Sequence, residues 1–148
     1  MAFTTVVSGQ FYELMIAAIR EIAKRKGSFT LVMLLPSNTR EAQWDAVFSA
    51  IWLDPLSMRE AVKSMSEELD RTLPDGAFTK IQRVSILRTT ESFVREVTSD
   101  LTIPITPGTA YRVQSFAFSR FGVDEAVILA ADPPSQAHTQ GSKVNNSR

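Results

Sequence analysis

The side chains that most often carry out catalysis are scarce in this chain. It contains no cysteine, and its only histidine, His138, lies in the polar segment 135–148. A thiol nucleophile, the commonest general base and the two preferred zinc ligands are therefore missing from the part that has enough apolar residues to fold. The serines have no nearby histidine to activate them, and no Gly-x-Ser-x-Gly motif is present. The sequence favours a domain without catalytic activity, and we expect no cofactor.

Carboxylates are the chemistry-bearing groups that remain. An enzyme that uses carboxylates alone, or a hard metal bound by distant aspartates such as Asp54, Asp124 and Asp132, is the third interpretation of this chain. No acidic stretch has the spacing of a calcium-binding loop. Helix caps and turns explain these three aspartates more simply, so we predict no metal site.

Polar residues follow two of the predicted strands and suggest a ligand site. The first group is Ser37, Asn38, Thr39 and Arg40, and the second is Arg88, Thr89 and Thr90. Hydroxyl groups, a guanidinium group and the free N–H groups of a helix start are the ingredients of an anion site. If the two strands are parallel, both groups lie at the same edge of the sheet. A small-ligand domain that binds an anion or a nucleotide is therefore the alternative function.

Large apolar residues are concentrated between positions 44 and 56. The residues that we expect at an interface are Trp44, Trp52, Leu53 and Leu56. On a helix the two tryptophans are offset by roughly 80°, so a single buried stripe need not cover both. An exposed tryptophan beside other apolar side chains is typical of a protein interface. We expect a protein partner or a homo-oligomer.

Charge and hydropathy argue against two other kinds of partner. The 16 Lys and Arg residues balance the 16 Asp and Glu residues, so no overall positive field attracts nucleic acid. A predicted hairpin carries rings and arginines that also occur in stacking platforms: Tyr111, Phe116, Phe118, Phe121, Arg112 and Arg120. Core packing is the simpler use of these rings, so we do not expect nucleic-acid binding. No segment is apolar enough to span a bilayer, and a chain without cysteine fits the cytoplasm.

Periodicity predicts eight elements that would position these residues. A helix is expected from near Ser8 to Gly27, and a strand buried on both faces at 29–35. Spacing at Trp44, Val47, Phe48 and Ile51 predicts a second helix after Asn38, and Asp54-Pro55 predicts the start of a third. The remaining elements are a strand at 83–87 and a hairpin formed by 111–118 and 125–131. Between them, the spacing at 90–101 favours a short helix, although its β-branched residues leave a strand open.

This order predicts an α/β domain, with α+β left open. We expect a single domain at 1–132 and a disordered polar tail at 133–148. The domain should contain a mixed sheet with a parallel β-αα-β crossover and a C-terminal antiparallel hairpin, covered by helices. The leading interpretation is a non-catalytic regulatory or accessory domain that acts through protein–protein contacts.

Overall fold

The computed structural model describes residues 3–37, 43–100 and 108–131. The strands are β1 (Phe3–Val7), β2 (Leu31–Pro36), β3 (Trp44–Ser49), β4 (Ile81–Ile86), β5 (Ala110–Gln114) and β6 (Glu125–Ala131). The α-helices are α1 (Gln10–Lys26), α2 (Met58–Thr72) and α3 (Ser92–Arg95), and a π-helical turn, Glu96–Asp100, continues α3. Short 3-10 helices lie at Ile51–Leu53, Phe78–Lys80 and Phe116–Phe121.

The six strands found in the described ranges form one mixed sheet in the order β1-β5-β6-β2-β3-β4. Strands β3 and β4 are parallel, and every other neighbouring pair is antiparallel. The predicted α/β class, the mixed sheet and the antiparallel C-terminal hairpin of β5 and β6 are thereby confirmed. Within the described ranges, no helix combines the length and the apolarity needed to cross a membrane. The predicted tail at 133–148 lies outside the described residues.

The central strand β2 separates two apolar layers. Val32 and Leu34 face the first layer, which contains α1 and α2. Leu31 and Met33 face the second layer, which is formed by α3 and the 3-10 helix Phe116–Phe121. All four side chains are fully buried. The continuous apolar run is therefore a strand buried on both faces, as predicted.

The helix predicted after Asn38 is wrong where the structure describes it, because residues Trp44–Ser49 form β3. This strand pairs antiparallel with β2, and Ala46 and Phe48 face the first layer while Val47 faces the second. Apolar residues at 44, 46 and 48 fit the two-residue period of a strand. Those at 44, 47, 48 and 51 fit the spacing of a helix equally well. Pairing with a completely buried neighbour decides between the two patterns.

Helix α2 begins three residues later than the predicted start at Asp54-Pro55. Ser57 accepts a hydrogen bond from the Glu60 amide, and the Glu60 carboxylate accepts one from the Ser57 amide, each at 3.2 Å. This capping box satisfies two helix-start amides at once, so it fixes the start at Met58. Asp54 is left outside the helix, where its carboxylate contacts another part of the chain.

The parallel crossover connects different strands from those predicted. It runs from β3 through α2 to β4, whereas the prediction began it at β2. Because β2 is antiparallel to β3 and β3 is parallel to β4, strands β2 and β4 run in opposite directions. The sequence interpretation also missed β1, which pairs with β5 at the end of the sheet.

Candidate interaction surface

A short 3-10 helix, Phe116–Phe121, forms most of the connection between β5 and β6. At its start, the Ser115 side chain accepts a hydrogen bond from the Ala117 amide at 3.1 Å. At its end, Gly122 adopts φ 77°, a left-handed conformation that favours glycine. The Ser115 amide also bonds the Asp124 carbonyl at 2.9 Å, which ties the two ends of the connection together. The helix is therefore held at both ends.

This 3-10 helix places two phenylalanines in opposite environments. Phe118 is fully buried in the second layer, whereas Phe116 is 91% exposed. Residues two positions apart on a 3-10 helix point in different directions, so burial of one ring leaves the other in solvent. The expectation that 111–118 is a single strand is wrong because β5 ends at Gln114.

An arginine packs between the aromatic rings next to Phe116. The Arg120 guanidinium carbon lies 5.2 Å from the centre of the Phe93 ring and 5.3 Å from that of the Phe121 ring. The two rings are themselves in edge-to-face contact, with centres 5.1 Å apart. Both distances from the cation are within the range of a cation–π interaction. Arg120 is thus held in place while its side chain stays about half exposed.

Two glutamates supply negative charge at the same place. Glu91 lies 3.8 Å from Arg120, and its second oxygen accepts a hydrogen bond from the Arg88 amide at 3.1 Å. Glu96 lines a cleft of about 320 Å³ between α3 and the 3-10 helix, together with Phe93, Phe116 and Arg120. We call these four cleft residues the Phe116 surface. It combines an exposed ring, a stacked cation and a carboxylate on two helical segments.

The residues predicted at a protein interface lie largely against the first layer. The Trp44 ring is edge-to-face with Tyr12 at 6.0 Å, and the Trp52 ring is edge-to-face with Phe29 at 5.7 Å. Leu53 is fully buried, and Leu56 is half-buried against the same layer. In this part of the chain the large exposed apolar side chains are Ile51 (59% exposed) and Met58 (44% exposed). Neither was among the residues predicted at an interface.

Ser37, the described member of the first group predicted in the ligand site, and the second group lie at opposite ends of β4. Ser37 donates a hydrogen bond to Gln82 near the start of β4, whereas Arg88 and Thr89 follow its end. The premise that β2 and β4 are parallel is wrong, so Ser37 and Thr89 do not meet at one edge. Asn38, Thr39 and Arg40 lie outside the described residues, and Thr90 is exposed. Ligand binding by either group alone stays a prediction.

Arg88 and Thr89 hold the segment before α2. The Thr89 amide and hydroxyl donate to the two carboxylate oxygens of Asp54, at 3.1 Å and 2.5 Å. The Arg88 guanidinium donates to the Asp54 carbonyl at 2.5 Å. Each of these polar groups is therefore used in joining the end of β4 to the turn that leads into α2. In the described ranges no group of three or more acidic or histidine side chains is arranged to hold a metal ion.

The sequence interpretation also missed a buried carboxylate on α2, that of Glu68. The Glu68 side chain is 4% exposed, and it accepts a 2.7 Å hydrogen bond from Arg25 of α1. This bond, more than any other contact, holds the pKa of Glu68 below its usual value. Positions 61, 65 and 68 fall on one face of a helix, so the spacing in the sequence indicated that Glu68 lies on the buried face of α2. Glu68 joins two helices within the first layer.

Neither the known protein families, nor curated protein sequences, nor solved structures provide a match to this chain. The function of the domain must accordingly be inferred from residue chemistry and geometry.

Proposed function

We propose that this domain acts through contacts with another protein, and that the Phe116 surface makes those contacts. The observation that carries the proposal is the 91% exposure of Phe116 on a helix held at both ends. Burying a phenylalanine side chain stabilises a protein by about 1.5–3 kcal/mol. A ring that the fold holds in water therefore has that free energy available for association.

The neighbours of Phe116 suit a binding role. Aromatic residues and arginine are the side-chain types that most often dominate binding energy at protein interfaces. Arg120 is already ordered by its two aromatic contacts, so binding would cost little of its side-chain entropy. A partner would therefore meet a largely preorganised surface.

The same residues favour a protein partner over nucleic acid. Tyr111 and Phe118, two of the rings that a stacking platform would need, are buried in the second layer. Stacking successive bases requires several accessible rings along a positively charged groove. The charges at the Phe116 surface are mixed, since Glu96 accompanies Arg120, and Glu91 lies 3.8 Å from the same arginine.

Site-specific photo-crosslinking tests this proposal. Benzoylphenylalanine replaces Phe116 in one variant and Ile51 in a second, because both side chains are exposed and apolar. Irradiation in cells that express the protein should give a discrete adduct from position 116 and none from position 51. An adduct of twice the chain mass identifies a second copy as the partner. An adduct from position 51 alone would contradict the assignment and would support an interface beside Trp52.

A further inference from the structure

The surface around α3 already binds one guanidinium group, which belongs to Arg120. Two elements hold it: the faces of Phe93 and Phe121, with the cation 5.2 and 5.3 Å from the ring centres, and the Glu91 carboxylate at 3.8 Å. An aromatic face removes little hydration from a guanidinium group and attracts its charge, while a carboxylate supplies the counter-ion. The intramolecular contact thus shows a combination of groups that suits a guanidinium ion.

The same cleft is lined by a further aromatic ring and a further carboxylate. Phe116 is 91% exposed, and Glu96, which is also exposed, lines the same cleft of about 320 Å³. Among the described residues, no cation lies within ion-pair distance of Glu96 and no arginine stacks on Phe116. Arg120 lines the same cleft, but its contacts are with Glu91, Phe93 and Phe121 and leave this ring and this carboxylate unused.

We propose that Phe116 and Glu96 receive an arginine side chain of the partner protein, an inference that rests on the proposed function. Local charges support a cationic ligand. Arg120 is paired with Glu91, and Arg95, although exposed, does not line the cleft. Among the charged residues that the structure places in this cleft, the Glu96 carboxylate is therefore the one without an ion-pair partner. The guanidinium group of an arginine would stack on the Phe116 ring and pair with the Glu96 carboxylate, as that of Arg120 does with Phe93, Phe121 and Glu91.

Nuclear magnetic resonance titrations of the full chain test this inference. The probes are N-acetyl-arginine amide and N-acetyl-citrulline amide, which have nearly the same shape but differ in charge. Arginine amide should shift the backbone signals of residues 92–96 and 115–120. The initial slope of these shifts should be about threefold larger than with the citrulline compound, a ratio typical of one exposed ion pair and one exposed cation–π contact.

Two variants locate the binding groups. Phe116→Leu keeps an apolar side chain but removes the ring, and Glu96→Gln keeps the size but removes the charge. Each should lower the arginine slope by about half or more. Glu13→Gln, at an exposed glutamate of α1, is the matched control and should leave the slope unchanged.

Equal slopes for arginine and citrulline, or slopes that neither variant changes, would overturn the inference. A larger response to N-acetyl-lysine amide than to the arginine compound would also overturn it, because the site would then prefer an ammonium group. These outcomes leave the proposed function standing if position 116 still gives its crosslinked adduct. Loss of the adduct with an intact arginine response would instead contradict the proposed function.

Discussion

Replacing Glu68 with glutamine removes one negative charge from the contact between α1 and α2 without changing the size of the side chain. The Glu68 carboxylate is 4% exposed, with Arg25 at 2.7 Å and Arg71 at 3.5 Å. The variant keeps an oxygen that can accept the hydrogen bond from Arg25. What is lost is the attraction between the buried carboxylate and two guanidinium groups.

The size of this loss depends on how exposed the partners are. A hydrogen bond to a charged group contributes about 1.5–3 kcal/mol to stability. The Arg25 and Arg71 side chains are 38% and 64% exposed, so water screens part of their charge. We therefore expect Glu68→Gln to lower the free energy of unfolding by about 1–2 kcal/mol at pH 7.

Urea unfolding with a double-mutant cycle measures this quantity. The partner variant is Arg25→Met, which keeps most of the apolar stem and removes the charge. The two single variants and the double variant should give a coupling energy of about 1 kcal/mol with unchanged dependence on urea. A cost below about 0.3 kcal/mol for Glu68→Gln, or a coupling energy of zero, would refute the argument, because such values are typical of solvated pairs.

The same pair gives stability a defined pH dependence. The pKa of Glu68 is lowered in the folded protein, mainly by the hydrogen bond from Arg25, below the ordinary value of 4.5. The unfolded chain therefore binds this proton more readily, and the stabilisation is present above pH 4.5 and is lost as the pH falls through the folded-state pKa. The difference in unfolding free energy between the parent protein and Glu68→Gln should shrink over that range. A difference that grows on acidification would contradict the sign.

Three further substitutions test other parts of the structure. Leu34→Ala should cost about 2–5 kcal/mol in chemical denaturation because the side chain is fully buried, and a cost below about 0.5 kcal/mol would contradict that burial. Thr89→Val removes the hydroxyl that donates to Asp54, so thermal unfolding should show a loss of about 1 kcal/mol, and an unchanged melting temperature would mean that this bond does not stabilise the turn. Phe116→Ser should change the unfolding free energy by less than about 0.5 kcal/mol, whereas a loss above about 2 kcal/mol would show that the ring is packed.

The elements that sequence patterns predicted well are those whose local signals agree with one type of structure only. Strand β2 is an apolar run that ends at a proline, and α1 ends in three cations before Gly27. Both patterns reflect local rules on burial and on helix ends. The segment Trp44–Ser49 satisfies two periods at once, and only its pairing with β2 selects the strand. Local sequence carries no information about that pairing.

The candidate site was harder to predict than the fold. Its rings were noted in the sequence, but their exposure depends on the 3-10 helix that Ser115 begins and Gly122 ends. A serine and a glycine seven positions apart are common in any chain, so this signal is weak. Similarly, Trp52 was predicted at an interface from its offset from Trp44 on an expected helix, whereas it packs against Gly27, which is distant in sequence. A Cβ atom at Gly27 would lie 3.1 Å from the Trp52 ring, which shows how closely the two segments pack.

The place of β1 at the end of the sheet has a consequence for how the chain is made. Thr5 pairs with Arg112, so β1 leaves the ribosome long before β5, its one neighbour among the described strands. At typical translation speeds, that delay is roughly 5–20 s. Strands β2, β3 and β4 can assemble with α2 during this time, since they are close to one another in the chain. Strand β1, the earliest of the described strands in the sequence, is therefore expected to be among the last of them to join the sheet. Until then its uncharged Phe3–Val7 segment is open to pairing with other nascent chains.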